Sequence, residues 1–150
     1  MEFVPSDAYP GERLILSKAA NAVVDLTERG VRARPFQLLM PLVGMGRKEA
    51  VGGKLYLTSY RLVFKSHVFN RFTGTLSILL PSIRSVTDAS TFLTKQIRVS
   101  ADRDSLFVVW RREELMAAID QARRTAEPDR ERIAGLVGTD PVKLGHGLQL

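Results

Sequence analysis

The sequence predicts an α+β domain in which a partly open antiparallel β-barrel or sandwich of about seven strands is capped by one C-terminal amphipathic helix. Three observations predict it. Short segments of alternating apolar and polar residues, separated by Gly, Pro, Ser and Asn, recur through the middle of the chain. The apolar period changes to helical spacing after Arg111. The 150 residues, with 25% charged residues, suit one domain with its own core.

The clearest element is a β-hairpin over residues 52–70, GGKLYLTSYRLVFKSHVFN. Residues 54–58 and 61–66 alternate apolar and polar side chains, and Ser59 and Tyr60 lie at the reversal. Successive side chains leave a strand on opposite faces, so each half predicts a strand with one face toward the core.

The other elements follow in chain order. Residues 1–11 predict an irregular lead-in, and residues 12–26 predict two short strands with a turn at Asn21. Alternation predicts further strands within residues 75–110, interrupted by a loop over 88–94. These strand ranges are 75–80, an apolar continuation at 83–86, 96–100 and 105–110.

The closing helix is predicted from helical spacing of Leu115, Ile119 and Ala122, and Pro128 ends it. Trp110, at the junction of strand and helix, is expected to cover the core as a lid. Periodicity assigns seven further apolar residues to the core. They are Leu62, Phe64, Leu76, Ile78, Val108, Leu115 and Ile119.

Domain organisation is predicted as one domain over residues 1–126, with an extended connection at 27–50. Residues 127–150 are expected to form a C-terminal extension with a short helix near 129–137 and a flexible, Gly-containing tail. No basic, apolar leader follows Met1, so a cytoplasmic protein is expected, with peripheral attachment at the inner face of the membrane.

The net charge of +6 is concentrated in residues 51–100, which hold seven basic residues and Asp88 as the one acid. Such a region attracts anionic lipid or an acidic protein, although exposed strands also carry basic residues merely for solvation. The candidate anion- or lipid-binding residues are Lys54, Arg61, Lys65, His67 and Arg71.

The apolar segment 35–46, PFQLLMPLVGMG, is flanked by arginines and contains two prolines. Core or homodimer packing is one interpretation. A loop that dips into a membrane interface is the other, because basic flanks suit anionic headgroups. The candidate contact residues are Leu38, Leu39, Met40 and Leu42.

Enzymatic, metal-binding and nucleic-acid-binding functions are disfavoured. The absence of cysteine removes thiolate chemistry and Cys-ligated metals, and no sequence motif for hydrolases, nucleotide binding or zinc is present. We therefore expect no catalytic residue, no metal and no cofactor. Basic residues occur singly and without a stacking-aromatic motif, so nucleic acid is not the expected partner.

The pattern over roughly residues 10–124 resembles the GRAM domain, a module with the pleckstrin-homology-like fold, in a stand-alone, bacterial-type form. The resemblance rests on GKLYLT at 53–58, RLVFKS at 61–66, LSILLPSIRSV at 76–86 and FVV at 107–109. It implies a non-catalytic adaptor that binds phosphoinositides or other anionic lipids. A protein-interaction or self-association module without a lipid ligand is the alternative it implies.

Overall fold

The computed structural model describes residues 3–25, 48–66 and 75–139. Its strands form one seven-stranded antiparallel sheet, as the alternation predicted. The strands are β1 (Leu14–Asp25), β2 (Lys48–Thr58), β3 (Arg61–Ser66), β4 (Thr75–Leu79), β5 (Ser85–Asp88), β6 (Gln96–Ser100) and β7 (Asp104–Val109). Their order in the sheet is β4-β3-β2-β1-β7-β6-β5. The open sheet with a C-terminal helix confirms the predicted α+β class.

The prediction of two strands with a turn at Asn21 is wrong, because β1 runs unbroken through this residue. Asn21 pairs with Gly52 of β2 on one side and with Val108 of β7 on the other. A register irregularity occurs instead between Leu14 and Leu16, near the start of the strand. Pairing with two neighbours satisfies the backbone groups that a turn would have left to solvent, and it makes β1 the centre of the sheet.

The β2–β3 hairpin turns its leucines and Phe64 toward the core, where Leu55 pairs with Phe64. Gly53 permits this packing: a Cβ on it would overlap the Lys65 carbonyl oxygen and lie 2.6 Å from Cζ of Phe64. Glycine is therefore required here by a close approach of the neighbouring strand.

Two α-helices follow the sheet, α1 (Arg112–Ala126) and α2 (Arg130–Thr139). The buried face of α1, which includes Leu115 and Ile119, lies against β5 and the 3-10 turn Leu80–Ser82. Helix α2 also belongs to the packed structure, since Ile133 is 1% exposed and joins the same core. The helical part of the predicted extension therefore packs on the domain.

The periodicity assigned most of the core correctly, but it failed at the end of β7. Phe107 and Val109 face the core and Val108 is half-buried outside it. Trp110 is 81% exposed, so its predicted role as a core lid is wrong. The left-handed backbone at Arg111, with φ of 54°, makes the turn from β7 into α1 immediately after this tryptophan.

Candidate functional site

The predicted basic residues of the hairpin lie on the side of the sheet opposite the core, called here the outer face. Lys54 and Lys65 are directly paired across β2 and β3, and Arg61 shares their face of β3. Part of this face is covered by the N-terminal segment, residues 3–13. Phe3 packs on Tyr56 with ring centroids 5.9 Å apart, and Tyr56 is 2% exposed.

Arg61 lies inside this contact, with 1% of its side chain exposed. Its Nε donates a hydrogen bond to Oε2 of Glu12 at 2.9 Å, and its Nη2 donates to Oε1 at 3.3 Å. The guanidinium carbon also lies 4.8 Å from the ring centroid of Tyr9, a cation–π arrangement. A planar guanidinium matches a carboxylate with two N–H groups, so this pair fixes the N-terminal segment on β3.

Glu12 completes a buried network at the turn between β2 and β3. Its side chain is 0% exposed and accepts hydrogen bonds from the Thr58 hydroxyl at 2.6 Å and from the Tyr9 N–H at 2.9 Å. The Thr58 hydroxyl in turn accepts from the N–H groups of Tyr60 and Arg61. The carboxylate is thus satisfied by several donors, as a buried charge requires.

Lys65 is held by the same segment, because its Nζ donates to Oδ2 of Asp7. The burial of Asp7 by itself would raise the pKa of its carboxyl. The hydrogen bonds from Lys65 and from the Val4 N–H outweigh burial and lower that pKa below its usual value. Asp7 therefore remains a carboxylate that offsets part of the positive charge of β3.

Lys54 differs from the other two hairpin cations. It is half-buried, its Nζ lies 5.8 Å from the ring centroid of Tyr56, and within the described ranges no carboxylate lies within 4.0 Å of it. Direct pairing with Lys65 brings two like charges together, which destabilises the sheet unless an anion lies nearby. Asp7 supplies one such anion, on the Lys65 side.

The other predicted site residues lie outside the described residues. This applies to His67 and Arg71, which follow β3 in the sequence, and to the apolar candidates of segment 35–46. Those candidates are Leu38, Leu39, Met40 and Leu42.

An exposed apolar group that the sequence analysis did not single out lies where β5 and β7 end and β6 begins. Phe92 is 97% exposed and Leu93 86% exposed, in the loop between β5 and β6. Asp88, at the start of this loop, is ion-paired with Arg112 at 3.0 Å. Hydrogen bonds from Ser90, through its hydroxyl and its N–H, and from Arg112 lower the pKa of Asp88 to about 2.

Other kinds of site find little support in the part of the chain that the structure describes. A cleft of about 290 Å³ lies between β4 and the β6–β7 turn, lined by side chains that include Ile78, Ser82 and Arg103. Among the described residues no group of three or more His, Asp or Glu side chains is placed to hold a metal ion. None of the described helices is long and apolar enough to cross a membrane.

Comparison with known proteins gives one family match. A family model for the GRAM domain matches residues 38–121, which is more than half of the chain. No curated protein matches the sequence significantly.

Two solved structures are similar to this chain. The Vps36 N-terminal PH domain is 15% identical, with a TM-score of 0.51 over 78% of this chain and 83% of that one. The C-terminal domain of an unknown protein from Leishmania infantum is 18% identical, with a TM-score of 0.49 over 75% of this chain and 86% of that one. At these identities the Vps36 domain supports the pleckstrin-homology-like fold alone.

Proposed function

The chain belongs to the GRAM domain family, and from that premise we propose that it is a non-catalytic binding module that docks on anionic membrane lipid. The observation that supports this proposal is the pair of lysines, Lys54 and Lys65, side by side on the outer face. Two ammonium groups on adjacent strands attract a phosphate or carboxylate headgroup with charge-assisted hydrogen bonds. His67 and Arg71 follow β3 in the sequence and complete the proposed basic set.

The proposal changes the role of one predicted residue. Arg61 is bound to Glu12 and to the Asp7 carbonyl oxygen within the protein, so we assign it to the scaffold. Lys54 becomes the principal ligand residue, because the described residues offer it no carboxylate. Lys65 also binds the headgroup in this proposal, and its Nζ keeps its ion pair with Asp7.

The test is co-sedimentation of the full chain with neutral vesicles of phosphatidylcholine and with vesicles that also contain phosphatidylserine, over a salt titration. A basic residue near an anionic membrane contributes about 1 kcal/mol. Lys54→Gln should therefore weaken binding to the anionic vesicles about fivefold. The matched control is Arg84→Gln, since Arg84 is an exposed cation in the same third of the chain. Equal losses in both variants would show a diffuse charge effect and reject the lysine site.

Self-association is a second candidate, favoured by the start of β1. Leu14 and Ile15 are 46% and 43% exposed, and β7 pairs only with residues 20–23 of β1. An exposed apolar strand edge can pair with a second copy. Light scattering across a concentration series tests this, and an oligomer that persists unchanged in Ile15→Asp would exclude this edge as the contact.

A further inference from the structure

We propose that Phe92, Leu93 and Trp110, named here the apolar tip, insert into the interfacial layer of an anionic bilayer. This inference rests on the proposed function, which it extends by naming the part of the protein that enters the lipid. The three side chains are 97%, 86% and 81% exposed, whereas the other large exposed apolar residues of the described chain are 43–46% exposed.

The loop that carries Phe92 and Leu93 is held by hydrogen bonds. The Thr91 N–H donates to the Thr94 carbonyl oxygen at 2.8 Å, and the Thr91 hydroxyl accepts from the N–H groups of Leu93 and Thr94. None of these bonds uses the side chains at the tip. The loop therefore presents two large apolar side chains to water in a defined conformation, which costs free energy in the absence of a partner.

Trp110 lies at the same end of the sheet. The Val109 N–H donates to the Lys95 carbonyl oxygen at 3.3 Å, so a single hydrogen bond links the residue before Trp110 to a residue two positions after Leu93. Each of these apolar residues is thus within three positions of one backbone contact.

Two basic residues near the tip suit an anionic surface. Lys95 and Arg111 are exposed, and in the described parts of the chain no carboxylate lies within 4.0 Å of either. The acid closest in sequence to the loop, Asp88, is paired with Arg112. Interfacial insertion combines buried aromatic and leucine side chains with lysine or arginine at the headgroups, and this combination is present here.

The register of the sheet relates the tip to the proposed lysine site. Ala20 of β1 pairs with Val109, and Ala19 pairs with Lys54. Only β1 separates β7 from β2, so the backbone of Trp110 lies about 10 Å from that of Lys54 at the usual strand spacing. One bilayer surface can therefore contact the lysines while the tip enters it. A protruding tip enters lipid without the matching cavity that a protein partner would need.

Trp110 reports on this insertion directly, because it is the one tryptophan of the chain. We expect its emission to shift to shorter wavelength on addition of vesicles of phosphatidylcholine with phosphatidylserine. Lipids brominated on the acyl chain near the headgroup should quench it. The double variant Phe92→Ser/Leu93→Ser should lower the vesicle partition coefficient by more than about tenfold. Circular dichroism should show an unchanged fold, since both side chains are almost fully exposed.

The matched control is Val4→Ser, which removes another exposed apolar side chain and should leave partition unchanged. Vesicle binding that weakens in Lys54→Gln, without a fluorescence change and without an effect of the tip variant, would overturn the insertion and leave the proposed function intact. No binding to anionic vesicles would overturn both. A concentration-dependent blue shift without vesicles, lost in the tip variant, would assign the tip to a second copy of the chain and reject the bilayer.

Discussion

The substitution Glu12→Gln tests whether the buried ion pair holds the N-terminal segment on the sheet. It keeps the shape of the side chain and removes its charge. Arg61 then keeps its guanidinium inside the protein, with 1% of the side chain exposed, and loses the carboxylate that accepts two of its hydrogen bonds. The amide that replaces the carboxylate also carries an NH₂ group. This donor faces the N–H and O–H groups that previously donated to Glu12.

The expected loss of stability follows from the burial of both partners. Removing one member of a buried ion pair costs about 3–5 kcal/mol, because the other charge is left uncompensated in the interior. Native domains have a free energy of unfolding of about 5–15 kcal/mol, so this loss is a large fraction of the total. With a urea dependence of about 2 kcal/mol per molar, the midpoint of unfolding should fall by about 1.5–2.5 M.

The assay is urea unfolding followed by far-ultraviolet circular dichroism, since Trp110 is already exposed in the folded protein and reports poorly on unfolding. The matched control is Glu127→Gln. Oε1 of Glu127 lies 3.0 Å from Nε of Arg130, close to the 2.9 Å of the buried pair, but both side chains are 56% exposed. At that exposure the substitution should leave the free energy of unfolding almost unchanged, because water screens the pair.

Equal effects of the two substitutions would refute the reasoning, because the argument depends on burial and the two ion pairs differ mainly in burial. A loss of unfolding free energy below about 1 kcal/mol in Glu12→Gln would also refute it, since exposed ion pairs typically contribute that little. A second variant, Arg61→Met/Glu12→Leu, should be more stable than Arg61→Met alone, because it leaves no unpaired charge in the interior.

Two further predictions concern helix α2 and the loop that carries the apolar tip. Ile133→Ala should lower the free energy of unfolding by about 2–5 kcal/mol in urea titrations, because Ile133 is 1% exposed in the core; no effect would show that α2 is dispensable to the domain. Asp88 has a folded-state pKa of about 2, below its ordinary value of 3.8, so its contribution to stability is present above pH 3.8 and is lost as pH falls toward 2. Asp88→Asn should therefore flatten the dependence of the unfolding midpoint on pH in this range, and an unchanged slope would contradict the assignment.

The strands were predictable where their signal is local. Residues 54–58 and 61–66 alternate because one face of each strand meets the core, and the sequence shows that pattern directly. The course of β1 could not be predicted this way. Whether Asn21 lies in a turn or in a strand depends on Gly52 and Val108, and the sequence does not show which distant residues will pair with it.

The charges of the candidate site show the same limitation. Lys54, Arg61 and Lys65 look equivalent in the sequence, and residues 51–100 hold one acid among seven basic residues. In the folded protein Glu12 and Asp7 reach into this region and bind two of the three cations. A charge balance taken along the chain therefore overstates the positive charge that the surface retains.

The exposed apolar tip was not predicted from the sequence, for a different reason. The run LFVVW at 106–110 is apolar throughout, so alternation does not show which residues face the core. The structure assigns Phe107 and Val109 to the interior and leaves Trp110 outside. Phe92 and Leu93, between two threonines in a predicted loop, were the available sequence signal, because large apolar residues are uncommon in a polar turn.

The family match covers a shorter range of residues than the packed domain. This difference bears on which residues carry the function. The match covers residues 38–121 and includes Arg61, but its partner Glu12 precedes the match and the buried Ile133 follows it. Arg61 is among the residues by which the family was recognised, and it serves the scaffold by binding a segment outside the match. Recognition of the family therefore identifies the sheet and its hairpin. Ligand contacts are to be sought in residues such as Lys54, which is half-buried, and Phe92, which is exposed, since neither belongs to the core cluster.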